Sequence, residues 1–313
     1  MKILITGGFG FIGSSLGKYL LLQKHEIVLA SRNSNRDVSS WLPQAKIVKI
    51  RWNDFDLLKN ICDNVDVIIH SAGMNASECK RNPNKALEVN GLNTKNLISA
   101  AVKEKVKKFI YFSTAHVYGS PLRDNIDEKS KLTNLHPYAT THLAGEKAVQ
   151  YINQTEKTQG IVIRLSNCYG VPVHNDVDCW MLLVNDLCKQ AVLTDELILK
   201  TNGKQQRDFI PISTLCKIIS DLILLNEKNT DDGIYNIGSG KSINVEEMAI
   251  KIKLRSKIIM KKNIKIFKGN KYEEESIFQY NINKLLNAGI NFNVEHDKEI
   301  DRLINYCKER FRN

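Results

Sequence analysis

The sequence predicts an α/β protein built on a doubly wound parallel sheet, with a smaller C-terminal α/β lobe. Three observations predict it. Short, near-continuous apolar runs alternate with longer helical patterns through the first half of the chain, as in a parallel sheet covered on both faces. A glycine-rich turn separates the first run from the first helical pattern. After Gly170 the strand-like pieces become shorter and the rhythm changes.

Taken in order, Lys2–Thr6 reads as a strand and Phe11–Gln23 as a helix, with Ile12, Leu16, Tyr19 and Leu20 on one face. Glu26–Ala30, Ile47–Arg51 and Asp66–His70 read as strands, and Lys85–Lys103 as one long helix. Lys108–Ser113 is a strand, Pro137–Tyr151 a helix and Ile161–Leu165 a strand. One further unit follows, helix Ile212–Leu225 and strand Gly233–Ile237. Leu197–Thr201 is a short strand, and the tail ends in a helix from about Asp297. The expected division is residues 1–166 with 210–238 for the sheet domain, and 167–209 with 239–313 for the lobe.

Composition bounds the classes. The 313 residues are 42% hydrophobic and 25% charged, which excludes a disordered or collagen-like chain. No apolar run approaches the ~18 residues of a membrane span. The opening MKILITGG runs straight into a strand and a turn and does not read as a signal peptide. Seven cysteines without a Cys-x-x-Cys pair read as reduced thiols of a cytoplasmic protein, with no disulfide frame and no metal site. The net charge of +11 raises a nucleic-acid or membrane reading. Much of it lies in Lys251–Lys271, which has no helix-turn-helix, aromatic platform or zinc spacing. That stretch is expected to be a helix with a solvated face, then an edge strand guarded by lysines, with no nucleic acid as partner.

The turn Thr6-Gly7-Gly8-Phe9-Gly10-Phe11-Ile12-Gly13 carries glycines at 7, 10 and 13. In a Rossmann-type unit the first makes the tight turn. The second admits the backbone to a pyrophosphate, and the third lets helix and strand pack closely. Gly7, Gly10, Phe11, Ile12 and Gly13 are therefore candidate ligands of a nicotinamide dinucleotide. An acid about 20 residues on would hold the ribose of NAD. Here Ser31-Arg32-Asn33 stand instead, and a hydroxyl with a guanidinium suits the 2′-phosphate of NADP.

Two further segments, Phe112-Ser113-Thr114-Ala115-His116-Val117-Tyr118-Gly119 and Pro137-Tyr138-Ala139-Thr140-Thr141-His142, end a central strand and open a helix. With Asp66–Gly73, Asn90–Thr94, Arg164–Gly170, Gln206–Ile210 and Tyr235–Gly240, in this order, the chain resembles the extended short-chain dehydrogenase/reductase family of nucleotide-sugar epimerases, dehydratases and reductases. The resemblance implies that Tyr138 is the general acid/base and that Thr114 hydrogen-bonds the same sugar oxygen. It implies cofactor contacts at Ala72, Gly73, Asn90, Tyr138 and His142, and one from Trp52 to adenine. It points to NAD, whereas Ser31 and Arg32 point to NADP. Asn167 and Arg207 would hold the pyrophosphate of a nucleotide-diphosphate sugar, with Lys268 or Lys271 from the tail. Met74 and Asn75 would line the sugar pocket. Helices Lys85–Lys103 and Pro137–Tyr151 would form a homodimer contact.

The chain departs from the family at His142, where the family expects lysine one helical turn after the tyrosine. A charge about 6 Å away at an effective dielectric near 20 is worth roughly 2–3 kcal/mol, about two pKa units on the tyrosine. His142 supplies that field only when protonated. Three readings follow: a differently tuned enzyme with His142 as ribose ligand, an enzyme that takes the charge from another base, or an impaired binding protein. Ala115 and His116 stand where family dehydratases carry acids, which disfavours water elimination. Epimerisation by transient oxidation at a ring carbon, with C4 the expected position, is then the leading reading, and net ketoreduction or dehydrogenation the alternative.

Overall fold

The computed structural model describes residues 1–33, 37–225, 232–273 and 277–312. Seven strands form the main sheet: β1 (Lys2–Thr6), β2 (Glu26–Ser31), β3 (Lys46–Lys49), β4 (Val67–His70), β5 (Lys108–Thr114), β6 (Gln159–Leu165) and β7 (Ile234–Ile237). Their spatial order is β7-β6-β5-β4-β1-β2-β3, and every pairing is parallel. The order reverses between β1 and β4, so the crevice above Thr6 and His70 is the switch point where such sheets bind ligands.

Side-chain alternation covers both faces. Ile3 and Ile5 pack with Leu16 and Leu20 of helix Phe11–Leu22 and with Leu215 and Ile219 of helix Ile212–Leu224. Leu4, between them, faces Leu58, Leu97 and Ala101 on the opposite side. All of these are fully buried, and each Ile or Leu so placed contributes about 1.5–3 kcal/mol. A charge at Ile5 would break this layer. A third cluster, with Tyr169, Leu187, Phe209, Met248, Ile252 and Leu303, draws on residues 169–209 and 245–307.

The expected helix Lys85–Lys103 is interrupted. The structure shows Ala76–Arg81, then Pro83–Ala86, a π-helical turn at Leu87–Leu92, and Asn93–Lys103. Pro83 restarts the helix at its first position, where Asn82 accepts from the Lys85 amide at 3.0 Å. The π turn contains Gly91, whose missing Cβ would lie 3.3 Å from the Ala144 Cβ of helix Pro137–Thr155. That approach of backbone to helix re-aims Asn90 inward.

The basic stretch forms helix Val245–Met260 and strand Lys265–Lys271, paired parallel with Glu196–Thr201 in a two-stranded sheet. Four of its nine cations find acids: Lys251 with Asp297, Arg255 with Asp301, Lys262 with Asp195, and Lys268 with Glu246 at 2.6 Å. Among the described residues no helix is long and apolar enough to cross a membrane. The seven cysteines are free and buried.

Candidate active site

The glycine turn meets the geometric demands of a pyrophosphate cradle. Gly7 has φ +67°, and a Cβ there would stand 2.8 Å from the Ala72 amide nitrogen. A Cβ on Gly13 would collide with the Gly7 carbonyl. The helix begins at Gly10 without a side-chain cap and without an acid in its first turn, so its leading N–H groups and positive dipole end remain for an anion. These residues fit a dinucleotide. Ser31, Arg32 and Asn33 end β2 beside the turn, with Thr6 opposite Ala30 in register. Arg32 is exposed, and the Ser31 hydroxyl accepts from the Asn33 amide at 3.2 Å.

Above the switch point lies a cleft of about 390 Å³. Ten of the sequence-predicted residues line it: Phe11, Ile12, Gly73, Met74, Asn75, Thr114, Tyr138, His142, Asn167 and Arg207. No aspartate or glutamate is among the described residues that line it. A larger hollow of about 630 Å³ near Glu128, Tyr235 and Lys284 shares no lining residue with the cleft and holds none of the predicted ligands.

Thr114 ends β5, and Tyr138 opens helix Pro137–Thr155, where the His136 imidazole accepts from the Tyr138 amide at 3.1 Å. The Thr114 hydroxyl and the Tyr138 phenol both line the cleft, and Thr114 is near enough to act on the phenol's pKa. Burial pushes the Tyr138 phenol above its ordinary value, and Thr114 opposes that rise. One turn on, the His142 ring meets the Tyr138 ring edge to face, with centroids 4.6 Å apart at 75°. His142 is buried, which pushes its pKa down to about 4, so the imidazole is neutral at physiological pH. The field that a protonated His142 would supply is therefore absent at that pH.

At the other end of the cleft, the Arg207 guanidinium makes no ion pair with its neighbour Asp208. Its Nε and Nη2 donate to the Gln205 side-chain oxygen at 3.1 and 2.7 Å. Asp208 instead takes the hydroxyls of Ser166 and Ser239. Asn167 donates to the Asp208 carbonyl at 2.9 Å, as a strand-end bracket would, and still faces the cleft.

Five further expected ligands stand outside the cleft lining. Lys271 is exposed on its edge strand opposite Thr201 and does not line the cleft, and Lys268 is tied to Glu246. Asn90 is fully buried behind the cleft wall. Its Oδ1 accepts from the Met74 amide at 2.9 Å, and its Nδ2 donates to Thr141 Oγ1 at 3.0 Å, so it braces the 73–74 segment. Trp52 packs edge-on against His70 at 5.8 Å, a partly core position. Ala72 backs the glycine turn.

Four participants stand outside the site residues expected from the sequence. Buried Glu146 pairs with Arg164 at 2.8 Å and accepts from the Ser113 hydroxyl, which pins helix Pro137–Thr155 to β5 and β6. Tyr111 lies beneath His142, with its hydroxyl 3.0 Å from Nδ1. His116 sits at the exposed mouth of the cleft, its ring 6.4 Å from that of Tyr138. Crowding by the cleft wall, then the Arg207 and His136 charges, hold its pKa below the ordinary value. His116 carries a signal in sequence as part of the motif after Thr114, and Arg164 as the first residue of Arg164–Gly170, whereas Tyr111 reads as core.

A glycine cradle at the switch point, a Thr–Tyr pair over it and a basic far wall define a dinucleotide-dependent site of the extended short-chain dehydrogenase/reductase class. The chain belongs to the NAD dependent epimerase/dehydratase family, whose model matches residues 3–238. It is 30% identical to the dTDP-D-glucose 4,6-dehydratase of Dictyostelium discoideum over 80% of this chain and 61% of that protein. It is 25% identical to the UDP-glucose 4-epimerase of Halalkalibacterium halodurans over 79% of this chain and 78% of that one. Its fold superposes on the UDP-glucuronic acid 4-epimerase of Bacillus cereus, solved with UDP-glucuronic acid and NAD. There the TM-score is 0.79 at 23% identity, over 99% of this chain and all of that one.

Proposed function

We propose that the protein is an NAD-dependent 4-epimerase of a nucleotide-diphosphate sugar. The observation that carries this reading is the single cleft that joins the glycine cradle, the Thr114–Tyr138 pair and Arg207, with no lining carboxylate among the described residues. Water elimination needs an acid and a base beside the sugar. Their absence from the lining disfavours elimination here, while the epimerase relatives named above are named for, or solved with, UDP-sugars. NAD is favoured over NADP because the epimerase neighbour holds NAD, and because an epimerase needs no exchange of its cofactor. The bound dinucleotide would accept a hydride from C4 and return it.

This chain's residues would do the rest. Tyr138 would take the proton of the C4 hydroxyl and later return it, with Thr114 holding the same oxygen. Arg207 offers a planar fork to the pyrophosphate, and Asn167 a polar neighbour to it. Met74 and Asn75 would border the sugar. His142 would bind the ribose of the cofactor.

The exposed Leu87 and Leu92, each 54% accessible on the turn that packs against helix Pro137–Thr155, support a homodimer through that helix pair. Seven buried free thiols support a cytoplasmic setting.

The test is stoichiometry. Purified protein with NAD and a panel of UDP- and dTDP-sugars should interconvert C4 epimers without net cofactor consumption. Consumption mole for mole would instead establish the ketoreductase or dehydrogenase reading.

A further inference from the structure

We infer that Tyr111 is a positioning residue that sets the tautomer of His142, so that the neutral imidazole presents Nε2–H to the cleft as a lysine-like donor without charge. The inference rests on the proposed role of His142 as a ribose ligand, and it concerns how that residue can serve without an ammonium.

Tyr111 points from β5 into the interior and is 1% exposed. The shortest contact of its hydroxyl is to His142 Nδ1 at 3.0 Å. The carbonyls of Asn90 and His142 are farther, each at 3.4 Å. The Asn90 carbonyl already accepts the Thr94 hydroxyl at 2.8 Å. The Thr94 oxygen, which also lies against Tyr111, then faces His70 Nε2 at 2.8 Å as an acceptor. His70 Nδ1 in turn accepts the Thr6 hydroxyl at 2.6 Å. Each rival acceptor of the phenol proton is thus longer or already engaged, and Tyr111 O–H donates to Nδ1. In neutral imidazole the other nitrogen then carries the hydrogen.

That nitrogen, Nε2, has no hydrogen-bond partner among the described residues, and His142 lines the cleft. The space for the phenol is made by Gly145, one turn further along the same helix face. A Cβ there would overlap the Tyr111 hydroxyl and stand 2.9 Å from the Asn90 carbonyl. Glycine is less favourable than alanine within a helix, and here it makes room for this contact.

The experiment is nitrogen-15 NMR of the histidine-labelled, cofactor-free protein, joined to NAD titration of four proteins: wild type, Tyr111→Phe, His142→Lys and the double variant. The wild-type spectrum should show His142 protonated at Nε2, and Tyr111→Phe should show a mixture of tautomers. Tyr111→Phe should weaken NAD binding about fivefold, and the same change in the His142→Lys background should alter it less than twofold. A merely structural tyrosine would lower thermal stability in both backgrounds alike and leave the tautomer unchanged. A wild-type His142 protonated at Nδ1, or an equal NAD penalty in both backgrounds, would overturn the inference. The wild-type spectrum decides even if Tyr111→Phe does not fold. Failure of the wild type to bind NAD would overturn the proposed function and leave the tautomer result standing by itself.

Discussion

Tyr138 and His142 stand one helical turn apart with ring centroids at 4.6 Å, edge to face, and neither carries a positive charge at neutral pH. Burial raises the phenol and lowers the imidazole, so each group is held in its neutral form. As a proton acceptor, Tyr138 gains strength only as the pH rises. Until then its ready role is donation to a ketone oxygen.

Replacement of Tyr138 by Phe keeps the ring and removes the proton. Turnover should fall by about 10²–10⁴, while NAD binding stays within a factor of two. Steady-state rates and equilibrium dialysis measure both. Retained turnover would place the acid/base elsewhere, with His116 the first candidate.

Arg207 should act on the other ligand. Its guanidinium donates to the neutral Gln205, makes no ion pair among the described residues, and lines the cleft where an anion can reach it. Arg207→Ala should weaken sugar-nucleotide binding by roughly ten- to a hundredfold, the loss of charge-assisted hydrogen bonds. NAD affinity should not change. Calorimetric titration separates the two, and a parallel loss of both would show that Arg207 holds up the fold instead.

The glycine turn makes a steric prediction. Gly13→Ala drives a Cβ into the Gly7 carbonyl, and backbone on both sides leaves nowhere for it to move. Cofactor binding should be lost and the melting temperature should fall, as overpacking by one methyl costs about 1–3 kcal/mol. A variant with wild-type melting and NAD affinity would mean the turn has more room than the structure shows.

Much of this site is legible in sequence because it rests on local rules. The alternation of apolar runs and helices marks the sheet. The spacing of Gly7, Gly10 and Gly13 marks the cradle, and the four-residue spacing of Tyr138 and His142 places them on one helix face. The remainder depends on contacts distant in sequence. Tyr111 in an apolar strand reads as core, and only the fold brings His142 over it from 31 residues away. The π turn at Leu87–Leu92 brings Gly91 close against Ala144, a contact that periodicity does not encode. The basic stretch looks like an exposed patch until Asp297, Asp301, Asp195 and Glu246 arrive from other elements. Lys271 seems placed for a pyrophosphate until its strand pairs with Glu196–Thr201.

Stability should depend on pH through the buried histidines. Burial holds His70 at about 3 and His142 and His296 at about 4. Unfolded, each titrates near 6.5. Below that value the unfolded chain binds protons that the native chain refuses, so stability falls as the pH drops. Between pH 6.5 and 5, before carboxylates dominate, the melting temperature should decline steadily. A flat profile there would mean these rings are charged in the folded state.

The most direct test is the pH dependence of hydride transfer to bound nicotinamide, followed by absorbance on mixing with a UDP-sugar, in wild type and His142→Lys. An ammonium one turn from Tyr138 should lower the phenol's apparent pKa by about two units. The wild-type rate should therefore rise at a distinctly more alkaline pH than that of His142→Lys, with the variant equal or faster at neutral pH. Coincident profiles, or a neutral-pH rate more than tenfold lower in His142→Lys at unchanged cofactor occupancy, would contradict a neutral His142 beside a proton-transferring Tyr138.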